Sequence, residues 1–255
     1  LILGGLDLSV GSNIALTGIV TTLLIQKGVV SVPVAIGIGL SVSFIIGAIN
    51  GAVIARFRIN PFIVTLGMMS VARGGAMVLT SGYFVTGLPE SFLVIGRGEI
   101  MGIPFPVIAA LLIVIIFDFL LKNWVHLNRA FPVGADPDNA ALLGINVNRT
   151  VVLGFALCGL FAGIAAIFMC SRLAMGYAQF GLEIELRALG AAVIGGATFS
   201  GGRGSIWGTF LGVLLLAIIN NGFVLLDASI YWQKVVNGTI LLIAIATAVR
   251  HSRNK

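Results

Sequence analysis

From Phe105 to Leu121 the chain reads FPVIAALLIVIIFDFLL, seventeen residues carrying one charge, Asp118. Wound as a helix, a run of that length and composition nearly matches the hydrocarbon thickness of a bilayer. Comparable runs recur along the chain. Only 9% of the 255 residues are charged, too few to cover a soluble domain. A bilayer offers the backbone no water, so spanning segments must be helices or closed barrels. The apolar runs here are continuous rather than alternating, which excludes a barrel. The expected fold is therefore all-α, a polytopic transmembrane helical bundle forming a single domain over 1–255.

Eight crossings are expected, at about 9–25, 33–55, 61–80, 105–123, 150–171, 186–199, 205–224 and 234–249. The sixth is short enough to be a broken or re-entrant helix. Glycine reaches 34 residues, about twice the usual share. Pairs four apart, Gly47/Gly51, Gly159/Gly163 and Gly208/Gly212, place a smooth stripe on one helix face where a neighbouring backbone can approach. Cys158 and Cys170 would lie about 18 Å apart on one helix, too far to bridge. The opening LILGGLDLSVGS has no initiator Met and reads as the end of an apolar run, so a missing N-terminal piece is expected.

Loops between crossings alternate sides, and basic residues orient them. With the RHSRNK tail in the cytoplasm, Arg56, Arg58, Lys122, Arg129, Arg149, Arg203, Arg250, Arg253 and Lys255 all fall inside. Lys27, Arg97, Arg172 and Lys234 fall outside. The positive-inside rule supports this threading and accounts for the net charge of +6 without invoking nucleic acid. It makes 81–104 the longest outer loop and 124–149 the longest inner one.

The inner loop holds a small capped helix. Asp136 can cap its start, Pro137 suits the first helical position, and Asp138 complements the positive end of the dipole. Asn139 and Ala140 continue it, Leu142 and Leu143 add an apolar patch, and Gly144 permits a left-handed stop. The residues alone leave two readings open: an interfacial helix resting on membrane lipid, or a plug for a soluble partner. FSGGRGS at 199–205 reads as a tight inner turn, with Gly202 and Arg203 a possible second contact for the same partner. Neither this stretch nor GGLDLSVGS contains the Gly-Lys-Ser/Thr of a nucleotide loop. At the latter, Asp7 or Ser9 is expected to cap the first crossing.

Polar groups inside crossings are candidates for lining a solute route: Asn13, Asn50, Thr65, Asn220, Asn221 and the deeply placed Arg73. Most such residues also serve helix packing. His126 and His251 are isolated, and neither a His-Glu-x-x-His nor a Cys-x-x-Cys motif occurs. No catalytic or metal site is expected, so the chain does not read as an enzyme.

Four stretches occur in order: GGLDLSVGS at 4–12, NPFIVTLGMMSVARG at 60–74, the inner helix, and ALGAAVIGGATFSGGRGSIWGTFLG at 188–212. Together they resemble the permease of ribose-type monosaccharide ABC importers, whose relatives include rhamnose, xylose and autoinducer-2 systems. The resemblance implies a bacterial inner-membrane location and about two further N-terminal spans. As partners it implies a cytoplasmic ABC ATPase that holds ATP and Mg, with no cofactor on this chain. It also implies a second permease copy or a related permease, and a periplasmic or lipid-anchored sugar-binding protein, received at 81–104 and 172–185. In that setting the inner helix is similar to a coupling helix, which favours the plug. The rival class is a secondary transporter or channel working without an ATPase, which buried acidic pairs or inverted repeats would favour.

Overall fold

The computed structural model describes residues 1–227 together with Ser229, Trp232, Gln233, Val235, Val236, Gly238 and Thr239. Most of the eighth expected crossing, and the tail with Arg250, His251, Arg253 and Lys255, lies outside the described residues. Among the described residues eleven helices are delimited: α1 (Val10–Gln26), α2 (Val32–Phe57), α3 (Pro61–Thr80), α4 (Glu90–Arg97), α5 (Phe105–Asn123), α6 (Val125–Asn128), α7 (Ala130–Ala135), α8 (Pro137–Leu142), α9 (Val147–Leu173), α10 (Ile184–Ile194) and α11 (Ile206–Leu225). A two-residue hairpin, β1 (Glu99–Ile100) with β2 (Ile103–Pro104), sits between α4 and α5. Among the described residues, α2, α3, α5, α9 and α11 have the length and apolar composition to cross a membrane, and α1 is a shorter apolar helix.

The sixth expected crossing is not a continuous helix. In place of 186–199, α10 is 11 residues long, about half a bilayer core at helical rise. The stretch before it, 174–183, is irregular. Ala174, Gly181 and Glu183 all take positive φ there, a backbone region that no right-handed helix can include.

Contacts divide the chain into two compact units. One comprises Asp7–Ile113 and Val147–Glu185. Its centre is α1, α2 and α9, and the glycine pairs explain how closely they pack. A methyl on Gly51 would come to 2.7 Å from Val152 Cα, and one on Gly163 to 2.7 Å from Ser43 Cβ. Gly159 faces the Ser43 carbonyl and the Gly47 backbone in the same way. Backbone thus meets backbone along the α2–α9 seam, which is how helices gain van der Waals attraction where lipid supplies no hydrophobic drive. Ile25, Ala35, Phe92, Leu93, Ile167 and Cys170 form an apolar cluster at one end of this unit. Both cysteines are free.

The expected outer loop is more ordered than its Gly and Pro content suggested. Helix α4 buries Phe92 completely and presents its backbone to α9. There Ser171 Oγ accepts from Gly96 N at 2.7 Å and donates to the Phe92 carbonyl at 2.6 Å.

The other unit comprises Leu1–Leu6, Val114–Asn146 and the described residues from Leu186. Within it α10 and α11 meet through glycines: Gly195 abuts Gly208, and Gly212 abuts Ala191. The i,i+4 pair expected on α5 forms, with Lys122 Nζ 2.7 Å from Asp118 Oδ2.

Substituting Gly51→Ala or Gly163→Ala forces the α2–α9 seam apart. Each is expected to cost about 1–3 kcal/mol, the range for overpacking, read as a lower Tm of the detergent-solubilised protein. Gly67→Ala, where an added methyl meets nothing within 4 Å, serves as the neutral comparison.

Candidate functional site

Helix α8 forms with the local chemistry its sequence dictates. Asp136 is extended and its Oδ1 accepts from the N–H groups of Asp138 and Asn139, both at 3.0 Å. Asn139 Nδ2 closes on Oδ2 at 2.6 Å. Pro137 takes the first helical position, where no N–H is missed. At the far end Ile145 N reaches the Ala140 carbonyl and Gly144 N reaches Ala141, with Gly144 at φ +77. These bonds make a six-residue helix that needs no partner for its own backbone. Its side chains behave differently. Ala140 is buried, yet Leu142 is 84% and Leu143 77% exposed, two adjacent leucines at the tip of a rigid knob.

The knob stands on α7. Asp136 N donates to the Pro132 carbonyl at 3.0 Å, and Val133 is buried. The turn at 198–204 closes against α7. Gly202 N donates to the Ile2 carbonyl at 2.8 Å, and a methyl on Gly202 would sit 2.8 Å from Ala135 Cα. Gly201 and Gly202 both have positive φ, so the turn needs them conformationally as well as sterically. Thr198 ties it together: its Oγ1 donates to the Gly201 carbonyl at 2.9 Å. The exposed Arg203 follows. The inner helix and the glycine-rich turn, expected close together, belong to one cluster within their unit.

The polar candidates do not converge on one cavity. Asn13 is fully buried; its Nδ2 donates to the Ser43 carbonyl at 3.2 Å. Thr17 Oγ1 lies 3.2 Å from Asn13 Oδ1. Ser43 Oγ lies 2.6 Å from the Gly159 carbonyl and 3.1 Å from Asn13 Oδ1, so one proton faces two acceptors. Asn50 donates to Ser9 Oγ at 2.9 Å, and its own Oδ1 is buried with no partner. Thr65 is buried and donates back to the Pro61 carbonyl. Asn220 donates to the Leu216 carbonyl one turn earlier, and Asn221 is exposed. Asn13 and Asn50 thus spend their amides joining helices, and Ser43, which joins α1, α2 and α9, was not singled out from the sequence. The signal for Ser43 was its place four residues before Gly47, in the same small-residue stripe.

Of the two caps expected for α1, Asp7 is the one whose side chain accepts an N–H at the helix entry. Ser9 already has helical φ and ψ and makes no side-chain cap. Instead Asp7 Oδ1 accepts from Ser9 N at 2.9 Å and from Ser9 Oγ at 2.6 Å. Burial pushes the Asp7 carboxyl above its ordinary value, opposed by these two bonds, which favour its charged form.

Arg73 has a different task from the amides. One guanidinium nitrogen donates to the carbonyls of Ala178, at 2.6 Å, and Phe180, at 2.7 Å. Nearby, Gly176 exchanges two backbone bonds with Val85, and Gly181 abuts the backbone of Gly11. The stretch 174–183 therefore lies along α1, from the level of Thr22 to that of Gly11. Irregular backbone at membrane depth is tolerated only where protein or a water-filled cavity satisfies it, and Arg73 supplies part of that satisfaction. The charged residue was conspicuous in the sequence; the carbonyls it serves were not.

Comparisons with known proteins cover nearly the whole chain. The family model described as branched-chain amino acid transport system / permease component matches residues 1–245. The ribose import permease protein RbsC of Bacillus subtilis is 39% identical over 244 residues, 95% of this chain and 76% of that protein. The L-arabinose ABC transporter permease protein AraH of Azospirillum brasilense is 36% identical, covering 96% of this chain and 72% of its own length. The D-allose transport system permease protein AlsC of Escherichia coli is 33% identical, over 96% and 76% respectively. No solved structure matches the chain.

Replacing Arg73 by Ala leaves two carbonyls without their charged donor. The expected loss is about 2 kcal/mol, typical of a hydrogen bond to a charged group, with Arg73→Lys retaining part of it. Thermal unfolding in detergent measures the loss, and protease sensitivity within 174–183 reports where it acts.

Proposed function

The chain belongs to the family of permease components of branched-chain amino acid transport systems, and from that premise we propose that it is the membrane-spanning subunit of an ATP-driven monosaccharide importer. It is a multi-pass membrane protein and a transport subunit rather than an enzyme. Relatives named for ribose, arabinose and allose support a pentose or hexose as the solute. Two copies, or one copy with a related permease, enclose the route in the bacterial inner membrane. Hydrolysis of ATP, with its Mg, belongs to a separate cytoplasmic ABC ATPase, and this chain itself carries no cofactor.

The observation that carries the coupling is α8: a self-capped helix that displays Leu142 and Leu143 almost fully. Asp136, Pro137, Asp138 and Asn139 hold its start, Ala140 seats it, and Gly144 ends it. A lipid-surface helix would be longer and lined with Lys or Arg, whereas this one is short and acidic at its start. Exposed apolar anchors on a rigid frame suit a preformed groove on a protein partner. In this reading 124–149 and the C-terminus face the cytoplasm. The ordered segment 81–104, with Tyr83, Phe84 and Met101 exposed, faces outward toward a sugar-binding protein that is periplasmic or lipid-anchored. The stretch 172–185 is a poorer receptor surface, since its backbone is engaged by Arg73 and α1.

The double variant Leu142→Asp/Leu143→Asp is expected to lose co-purification with the cognate ATPase and to reduce uptake of ribose, arabinose or allose in proteoliposomes at least tenfold. Its thermal stability should change by no more than about 0.5 kcal/mol, as for exposed positions. Unchanged ATPase association would overturn the docking role. Uphill uptake by the permease alone on an ion gradient would overturn the importer class and favour a secondary transporter.

A further inference from the structure

We propose that the turn 198–204 is a positioning element that carries displacement of α8 into the α10–α11 pair through direct backbone contact. This rests on the reading of α8 as the ATPase dock. The cluster has three strands of chain: residues 2–4, the α7 segment at Gly134 and Ala135, and the turn itself. A methyl on Gly134 would overlap the Ile2 carbonyl and come to 2.8 Å from Gly202 N. A methyl on Gly201 would come to 2.7 Å from Gly4 N. On Gly204 a methyl would come to 2.7 Å from Ile2 Cγ1. The hydrogen bond from Gly202 N to Ile2 fixes the register of the three strands.

Each end of this cluster is attached to something stiff. On the α8 side, Asp136 both bonds to α7 through its N–H and caps α8 through its side chain, so α7 and α8 move together. On the other side, the turn joins α10 to α11: Ala191 of α10 abuts Gly212, and Gly195, just past the end of α10, abuts Gly208. Ser205 caps α11 by accepting from Gly208 N at 3.1 Å. Backbone in contact with backbone has no rotamers with which to absorb a push. Packed elements of this kind shift as bodies instead of deforming continuously. Gly134, Gly201 and Gly202 are accordingly positioning residues: they touch no solute and act through α8.

Gly134→Ala tests this without backbone strain, because Gly134 is helical and its φ is not positive. Thr198→Val removes the Oγ1 bond to Gly201 and adds no bulk at the interlock. Gly67→Ala is the control, on a helix with no positive φ and nothing within 4 Å of an added methyl. The readout is solute moved per ATP hydrolysed in proteoliposomes holding the assembled transporter, its ATPase and its receptor. The solute is whichever of ribose, arabinose and allose the wild type imports.

In Gly134→Ala the ATPase should associate and hydrolyse ATP as in wild type while solute per ATP falls at least tenfold. Thr198→Val should lower the ratio a few-fold, and Gly67→Ala should leave it unchanged. A wild-type ratio in Gly134→Ala, or an equal fall in Gly67→Ala, overturns the proposal. Loss of ATPase association in Gly134→Ala also overturns it, since the cluster would then only build the dock. If Gly134→Ala does not fold as a permease, Thr198→Val decides by the same ratio. ATPase association that survives Leu142→Asp/Leu143→Asp instead sinks the docking reading beneath it.

Discussion

A hydrocarbon interior gives a backbone amide or carbonyl nothing to bond with, and the irregular stretch 174–183 is arranged around that constraint. Where the chain stays helical, the requirement is met within each segment, and glycine then lets whole segments press together. Where it leaves the helix inside the bundle, at 174–183, outside partners are needed: Val85 for Gly176, and Arg73 for Ala178 and Phe180. The buried charge and the irregular backbone are thus two halves of one solution. Either alone would be costly, because an unpaired guanidinium and unpaired carbonyls both lose water without replacement.

The same economy explains the polar residues. Asn13, Ser43 and Asn50 sit where three helices converge, and their groups bond to one another, to backbone or to the Ser9 hydroxyl across the seams. Between apolar helices in lipid, such bonds and close glycine contacts supply association that hydrophobicity cannot. The cluster around α7 extends this logic to the turn 198–204, where two glycines at positive φ let three backbones meet.

The sequence was most legible where the physics is local. Apolar runs marked the crossings because span length is set by the bilayer. The cap at Asp136 and stop at Gly144 were readable because both depend on neighbours within a few residues. Legibility failed where the partner is distant in the chain. Nothing near Arg73 announces the carbonyls of Ala178 and Phe180, more than a hundred residues away. Ser9 looked like a cap by position, but its hydroxyl is engaged by Asp7 and by Asn50, forty-one residues on. The sixth crossing was recognisable as short, yet its irregular approach depends on positive φ at Ala174 and Glu183, which no residue type there announces.

The clasp between Arg73 and the descending chain has a further electrical consequence. A guanidinium keeps its proton in a protein, and Glu185 lies near enough to act on it electrostatically, so the positive charge fixed at this depth is offset in part by an acidic side chain.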